Sequence, residues 1–231
     1  MSTTLSRRVS RAIADPYTPS SLGARRRSSR WDELLRRFPE LDQMRIVDLG
    51  GDMRAWRLAP VQPRELVLLN RFAQSDVDGG GNGNGSVKAV VGDACSLPAE
   101  LRGERFDLVY SNSVLEHVGG HDRRLAFAAS VRELGDAHWI QTPYRYFPVE
   151  PHWLCPGLQF LPVRARAEVT LRWPLGGYSA VRELDQAVRW VLATELVSVT
   201  ELRHYFPASE IWRERFLGLT KSLVAVAGGV G

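Results

Sequence analysis

The chain contains a series of short apolar runs, each followed at once by glycine or a small polar residue. The runs are Arg45–Leu49, Glu65–Leu69, Val87–Val91, Phe106–Tyr110 and Ala137–Gln141. Runs of this length between helical or irregular stretches are typical of buried strands in a parallel sheet with covered faces. Ligands of such sheets bind outside the carboxyl ends of the strands. The sequence therefore predicts an α/β fold with a binding site where the polar residues follow the strands.

The segments on either side of these runs complete the predicted architecture. Trp31, Leu34, Leu35 and Phe38 share one helical face, and Ser28 or Ser29 is a candidate cap for that helix. Two further helices are predicted at Arg123–Leu134 and Val181–Ala193, and two strands at Glu210–Phe216 and Leu219–Ala227. A terminal hairpin on a parallel sheet predicts a seven-stranded mixed sheet with helices on both faces.

The basic charge of the chain is concentrated at its N-terminus. Residues 1–30 carry seven arginines and one acid, whereas the whole chain has a net charge of only +4, so the remainder is net negative. Residues 1–27 are rich in Ser, Thr, Pro and Arg, which predicts a disordered basic tail before a single domain over residues 28–231. A tail that contacts nucleic acid or an anionic membrane surface is the alternative.

Several classes of protein are disfavoured by what the sequence lacks. No apolar run reaches the roughly 18 residues needed to span a bilayer, and the N-terminus has no apolar signal region, so we expect a cytoplasmic protein. Cys95 and Cys155 are the only cysteines, and neither a CxxC pair nor an HExxH motif occurs. We therefore expect no metal site.

One segment after the fifth run is rich in both proline and aromatic residues. It covers about residues 143–163, with the sequence PYRYFPVEPHWLCPGLQFLPV. Such a segment is too apolar for a disordered linker and too proline-rich for regular structure. We expect an ordered insertion that forms a wall over the active site.

Four motifs in order give the chain a family resemblance. RIVDLGG, LVLLN, VVGDACSLP and FDLVYSNSVLEHVGG, within about residues 45–142, resemble class I S-adenosylmethionine-dependent methyltransferases. The closest likeness is to the small-molecule, methyltransferase type 11-like branch, which carries LEHV after the fourth strand. The resemblance implies a Rossmann-like sheet, a reversed last strand and S-adenosylmethionine as cofactor. Asp52 begins the stretch where the family has its third glycine, and the GxGxxG of dinucleotide enzymes is absent.

The resemblance also implies which residues bind the cofactor. Asp48 with Gly50 and Gly51 would form the first loop, and Asn70 would meet the ribose in place of the usual acid. Asp93 and the Ala94 amide would read the adenine, while Ser111 and Asn112 would hold the methionine end. A plain turn at the glycines and a helix-capping role for Asp93 are the structural alternatives.

Catalytic candidates lie in the insertion. A general base is needed only if the acceptor carries a proton that it does not lose alone. His152 is the candidate base, with Glu150 to orient it and Tyr144 beside them, although a packing role for His152 is the alternative. The resemblance assigns Glu116 and His117 a structural role.

The predicted activity is methyl transfer to a small organic acceptor, with O-methylation preferred. The aromatic insertion suits a partly apolar acceptor, with lipid-linked and glycosidic compounds as candidates, and no nucleic acid is expected on the folded domain. The alternatives are an RNA or protein methyltransferase that uses the basic tail, and a non-catalytic protein that binds S-adenosylmethionine.

Overall fold

The computed structural model describes residues 22–73, 86–173 and 183–230. The helices in these ranges are α1 (Leu22–Arg37), α2 (Met53–Arg57), α3 (His121–Leu134), α4 (Val163–Arg172), α5 (Leu184–Leu192) and α6 (Val199–Tyr205). The strands are β1 (Arg45–Leu49), β2 (Glu65–Asn70), β3 (Ser86–Val91), β4 (Leu108–Asn112), β5 (His138–Pro143), β6 (Val149–Glu150), β7 (Cys155–Pro156), β8 (Glu210–Phe216) and β9 (Leu219–Ala227). Short 3-10 turns lie at Leu41–Gln43, Ala99–Leu101, Leu115–His117 and Leu158–Phe160.

Seven strands form one mixed sheet in the order β3-β2-β1-β4-β5-β9-β8. Strands β1 to β5 are parallel, while β9 pairs antiparallel with both β5 and β8. Asp48, near the end of β1, is opposite Leu68 on one side and Tyr110 on the other. The predicted seven-stranded sheet with a C-terminal hairpin is confirmed, and the parallel part brings its carboxyl ends to one edge.

Each face of the sheet is covered by its own apolar layer. Val47 and Leu49 belong to the layer under α3 and α6, whereas Ile46 belongs to the layer under α1 and α2. This division follows from the strand period of two, which sends successive side chains to opposite faces. The prediction of helices on both faces is confirmed.

The N-terminal helix is longer than the sequence pattern indicated. Helix α1 begins at Leu22, so residues 22–27 are helical instead of belonging to a disordered tail, and Ser28 and Ser29 lie inside the helix. Alanine and arginine are good helix formers, and they extend the helix beyond its packed part. The rest of the predicted tail, residues 1–21, lies outside the described residues, as do the first two residues of the helix predicted at Val181–Ala193.

The proline-rich insertion is ordered and contains regular structure. Strands β6 and β7 pair as a small hairpin, and the 3-10 turn at Leu158–Phe160 follows. The sequence analysis did not predict α4, which packs against α5. A small separate apolar core holds this unit together, and it contains Trp153, Cys155, Leu158, Ala167, Ala187 and Val191. No helix among the described residues is long and apolar enough to cross a membrane.

Candidate active site

The loop after β1 is built from two glycines that no larger residue could replace. Gly50 has a φ of +81°, and a Cβ there would lie 2.4 Å from Val114 Cγ2. A Cβ on Gly51 would lie 2.2 Å from Asp48 Oδ2. The Gly50 amide donates to the Leu69 carbonyl at 2.7 Å, which fixes the loop against β2. Backbone rather than side chain therefore faces the space beyond this strand end.

Asp52 stands where a third glycine would continue the loop. Its side chain accepts a hydrogen bond from the Arg54 amide at 2.8 Å and caps the short helix α2. The loop after β1 thus ends in a helix N-terminus after only two glycines.

The carboxylate of Asp48 is buried beneath this loop. Its Oδ2 accepts a hydrogen bond from Trp56 Nε1 at 2.8 Å, whereas its Oδ1 is buried with no hydrogen-bond partner among the described residues. Burial raises the pKa of Asp48 to about 7. Such an oxygen is suited to a donor that arrives with a ligand.

A cavity of about 300 Å³ opens at the carboxyl ends of the parallel strands. It is lined by four of the predicted cofactor residues, Gly50, Asn70, Asp93 and Ala94, together with Arg71, Ser113, His117 and Arg123 among others. The parallel sheet gathers these positions from separate strand ends, as the sequence analysis expected. Asp48, beneath the loop, and Gly51, within it, are not among the residues that line the cavity.

Asn70 and Asp93 already have partners within the protein. Asn70 Nδ2 donates to the Gly51 carbonyl at 3.1 Å and so ties β2 to the glycine loop. Asp93 accepts from the Cys95 amide at 2.9 Å and from Arg123 Nη2 at 2.9 and 2.7 Å. Burial alone would raise the pKa of Asp93, but the Cys95 amide and Arg123 outweigh it and lower that pKa. Asp93 therefore stays ionised beside the cavity.

Ser111 and Asn112, which were predicted to hold the methionine end of the cofactor, are not among the residues that line this cavity. Ser111 is fully buried, and its hydroxyl donates to the Leu49 carbonyl at 2.8 Å, which braces β4 against β1. Asn112 Oδ1 accepts from Arg30 of α1, and the same guanidinium pairs with Glu214 at 3.0 Å. The strand end directs both side chains into contacts within the fold, and Ser113 lines the cavity instead.

Two histidines from distant parts of the chain meet beside the cavity. His117 lies in the 3-10 turn after β4, and His152 lies in the connection between β6 and β7. Their Nε2 atoms are 3.1 Å apart. His152 Nδ1 is 2.7 Å from Glu150 Oε1, so the predicted orientation of His152 by Glu150 is present in the geometry.

The Glu150 carboxylate organises the whole turn. Its second oxygen, Oε2, accepts hydrogen bonds from the backbone amides of His152 and Trp153, both at 2.8 Å. Burial alone would lower the pKa of His152, but the hydrogen bond with Glu150 and its charge outweigh burial and raise that pKa. The proline between Glu150 and His152 does not prevent their contact, because the turn folds back on itself.

A buried glutamate, Glu116, lies beside the two histidines, and these three residues form one cluster. Glu116 Oε2 accepts from Thr142 Oγ1 at 2.9 Å, which braces the 3-10 turn against β5. Glu116 Oε1 is buried with no hydrogen-bond partner in the described part of the chain, and it lies 4.0 Å from Nε2 of both His117 and His152. Burial raises the pKa of Glu116.

A second cavity, of about 570 Å³, is lined by Glu150 and Trp153, the neighbours of His152 in the insertion. Its wall includes three arginines and three glutamates, Arg124, Arg145, Arg166, Glu150, Glu195 and Glu201, and aromatic rings from Tyr146, Trp153 and Phe160. The wall comes mainly from the insertion and from α4, α5 and the segments that follow them. Tyr144 lines neither cavity, because its ring packs against Tyr146 and the core.

The contact of His117 with His152 was not predicted from the sequence. Both Glu116 and His117 were predicted to be structural, and the hydrogen bond from Thr142 supports a structural role for Glu116 only. The two histidines are 35 residues apart and lie on separate structural units. Because no spacing pattern links such positions, only the folded arrangement reveals the pair.

Comparisons with known proteins match this geometry. A family model described as a methyltransferase domain matches residues 67–136, the stretch that supplies most of the smaller cavity. No curated protein sequence matches the chain.

Solved structures share the fold at low sequence identity. An S-adenosylmethionine dependent methyltransferase from Mesorhizobium loti is 17% identical, over 87% of this chain and 97% of its own, with a TM-score of 0.55. A magnesium protoporphyrin IX methyltransferase from Synechocystis PCC 6803, with bound SAH, is 12% identical over 87% and 82%, with a TM-score of 0.51. A possible exported protein from Bordetella parapertussis is 15% identical over 88% and 68%, with a TM-score of 0.54.

Proposed function

We propose that this chain, a class I S-adenosylmethionine-dependent methyltransferase, methylates a hydroxyl oxygen of a small organic acceptor. The methyltransferase domain match and the seven-stranded fold are the evidence for the enzyme class and its cofactor. The acceptor and the methylated atom are the proposal. The observation that supports it most is the contact of His152 with both His117, which lines the smaller cavity, and Glu150, which lines the larger one.

The residues at the smaller cavity fit the cofactor. Gly50 presents backbone without a Cβ, Asn70 offers an amide for the ribose, and Asp93 with the Ala94 amide offers an acceptor and a donor for the adenine. The unpartnered Oδ1 of Asp48 lies under the same loop and suits the ammonium group. S-adenosylmethionine supplies an electrophilic methyl carbon on a positively charged sulfur, and the protein supplies alignment.

The larger cavity is proposed to bind the acceptor. Its volume lies within the range of about 300–1,000 Å³ that is usual for small-molecule sites. His117 lines the smaller cavity, Glu150 lines the larger one, and His152 contacts both of these residues. An acceptor in the larger cavity would therefore bring a hydroxyl group to the histidines, next to the cofactor.

His152 is proposed to take the hydroxyl proton as the oxygen attacks. Glu150 accepts the Nδ1 proton of His152, so that the lone pair on Nε2 is directed away from Glu150 and can accept a proton. For Tyr144, a catalytic role stays a prediction from the sequence, because its ring packs against Tyr146 and Tyr144 is not among the residues that line either cavity.

The nature of the cavity wall favours a small neutral acceptor over RNA. Three arginines are matched by three glutamates there, whereas a site for the phosphate backbone would carry an excess of positive charge. The aromatic rings beside these charges suit a ring with hydroxyl groups, such as a glycosidic or lipid-linked compound. A cytoplasmic location stays a prediction from the sequence.

Turnover distinguishes this function from its alternatives. The purified chain would be incubated with S-adenosylmethionine and a panel of phenols, glycosides, lipid-linked sugars, RNA and protein, and SAH release would be measured. Release with a hydroxylated small molecule, and a product methylated on oxygen by mass spectrometry, is expected. Methylation of RNA or protein alone would replace the proposal, and cofactor binding without turnover on any class would favour the non-catalytic alternative.

A further inference from the structure

The tautomers of His117 and His152 leave two nitrogen lone pairs directed at the same point. Nδ1 of His117 lies 3.2 Å from the Ala193 carbonyl, which can only accept, so this nitrogen carries its proton. Nδ1 of His152 lies 2.7 Å from the Glu150 carboxylate and carries its proton for the same reason. In the neutral state both rings therefore present an unprotonated Nε2, and these two atoms are 3.1 Å apart.

A third electron-pair donor lies at the same place. Glu116 Oε1 is fully buried, has no hydrogen-bond partner among the described residues, and is 4.0 Å from each Nε2. When both rings are neutral and Glu116 is ionised, three electron-pair donors face one another at short range, and a cation between them would stabilise this arrangement. A shared proton would bridge the two nitrogens and leave Glu116 Oε1 with no hydrogen bond, whereas a metal ion engages all three atoms at once.

We propose that Glu116, His117 and His152 bind a divalent transition-metal ion. Their ligand atoms all lie within 4.8 Å of one another. An ion with ligand bonds of about 2.0–2.2 Å holds neighbouring ligand atoms roughly 3.0–3.5 Å apart, which matches the nitrogen pair. The carboxylate must move closer by roughly half an ångström to coordinate, a distance within the range of a small side-chain rotation.

Each proposed ligand residue also makes a hydrogen bond to another group of the protein, through an atom that would not contact the metal, as in established metal sites. Glu150 accepts from His152 Nδ1, the Ala193 carbonyl accepts from His117 Nδ1, and Thr142 donates to Oε2 of Glu116, the carboxylate oxygen that faces away from the histidines. These contacts fix the ring orientations and direct the ligand atoms inward.

The ligand set selects the class of metal. Two imidazoles and one carboxylate suit zinc, iron, manganese or cobalt, whereas magnesium and calcium prefer oxygen ligands alone. Three protein ligands leave at least one open position. Because His117 lines the smaller cavity and Glu150 the larger one, this open position would be reachable by an acceptor.

The catalytic part of this inference rests on the proposed function and changes the role of His152 within it. With a metal ion bound, His152 Nε2 is a ligand and not a proton acceptor. An acceptor hydroxyl at the open position would have its pKa lowered by the ion, and its proton would pass to solvent. The oxygen would keep the electron pair that forms the new bond to the methyl carbon, while the bond from that carbon to the cofactor sulfur would break and leave its electron pair on sulfur, giving SAH.

Metal binding is tested on the full chain without an affinity tag, after treatment with a chelator. Zinc and cobalt(II) would be titrated by calorimetry, with no cofactor or acceptor present, into the wild type and into His117→Ala, His152→Ala and Glu116→Gln. His204→Ala is the matched control, because His204 is exposed and its ring contacts His121 and Tyr205 instead. Circular dichroism would verify that each variant is folded.

One zinc ion per chain is expected for the wild type and for His204→Ala. Each of the three cluster variants is expected to bind about tenfold to a hundredfold more weakly. The cobalt(II) protein should show absorption bands that shift in His152→Ala. No binding to the wild type, or equal affinity in all variants, overturns the proposal. Since Glu116→Gln keeps the shape of the side chain, it remains informative if a histidine variant does not fold.

The same samples separate this inference from the proposed function. If metal binds but no acceptor is methylated, the site stands and the proposed function fails. If an acceptor is methylated equally before and after metal removal, the catalytic part of this inference is wrong and the direct proton transfer to His152 stands.

Discussion

The Asp48 carboxylate and the Trp56 indole form a buried pair in which the indole N–H donates to Oδ2 at 2.8 Å. The pair joins the end of β1 to α2, and Trp56 in turn packs against Trp31 and Tyr110 with ring centroids 5.3 Å away in each case. A carboxylate satisfied at only one oxygen therefore lies within an aromatic cluster and beside the glycine loop.

The first prediction concerns the pH dependence of stability. Burial raises the pKa of Asp48 from 3.8 to about 7, so its contribution is most favourable below pH 4 and is lost as the pH rises through 7. The loss amounts to roughly 4 kcal/mol when complete, at about 1.4 kcal/mol for each pKa unit. Urea unfolding at pH 5 and pH 8 should show a larger decrease for the wild type than for Asp48→Asn.

The comparison between the two proteins isolates this carboxyl group. Asp48→Asn keeps an oxygen for Trp56 and cannot ionise, so whatever it costs is the same at both pH values. If the difference in unfolding free energy between wild type and variant stays constant from pH 5 to pH 8, Asp48 does not titrate in this range and the prediction is wrong.

The second prediction concerns recognition of the adenine. Asp93→Ala should weaken binding of S-adenosylmethionine by roughly 1–3 kcal/mol, because it removes the acceptor and releases Arg123 beside the cavity. Calorimetry measures the affinity directly. Asp136→Ala is the control, since Asp136 is exposed on the loop before β5 and pairs with Arg105. Equal affinity in the two variants would mean that the adenine is read elsewhere.

The third prediction concerns turnover. His152→Ala should lower methyl transfer about 10²–10⁴-fold while affinity for the cofactor stays nearly unchanged. Glu150→Gln should have a smaller effect in the same direction, because it weakens the hold on His152 Nδ1. Tyr144→Phe should have little effect, since the Tyr144 ring packs against Tyr146. Normal turnover by a folded His152→Ala protein would assign this histidine a packing role.

The fourth prediction concerns the N-terminal helix. Arg30→Ala should destabilise the protein by up to about 3 kcal/mol, because it leaves the buried Glu214 carboxylate without its ion pair. Arg36→Ala, on the exposed side of the same helix, should change stability far less, because its ion pair with Glu33 is open to solvent. Thermal or urea unfolding compares the two variants, and similar losses in both would show that the Arg30 pair does not stabilise the fold.

The fifth prediction concerns residues 1–21, the segment before the N-terminal helix. Deletion of residues 1–21 should leave cofactor affinity unchanged, because the residues that line the smaller cavity begin at Gly50. Calorimetry on the shortened chain provides the measurement, with unfolding in urea to verify stability. A folded but weakly binding product would mean that the deleted segment contributes to the site.

The central strands β1, β2, β4 and β5 could be predicted from the sequence because they are short, apolar and buried on both faces. Gly50 and Asp93 could be placed at one edge for the same reason, since parallel strands share their carboxyl ends. Ser111 and Asn112 also lie at a strand end, yet the sequence does not reveal that their side chains turn toward Leu49 and Arg30.

The parts that could not be predicted depend on contacts between distant segments. Helix α4 has no clear apolar stripe in its sequence, and it is stabilised by packing against α5. The approach of His117 to His152 depends on how the insertion folds back over β4 and β5. Neither contact has a local pattern, because each joins segments that are separated along the chain.

The two cavities draw on different stretches of the chain. The smaller one is built from residues between Gly50 and Arg123, and the larger one, apart from Arg124, from residues between Arg145 and Glu201. If the larger cavity binds the acceptor as proposed, mutation or recombination within the second stretch would change the acceptor while the first stretch keeps the cofactor site. Through this separation, one inherited cofactor site could serve many different acceptors in the course of evolution. Residues 145–201 are therefore the segment to exchange in redesign.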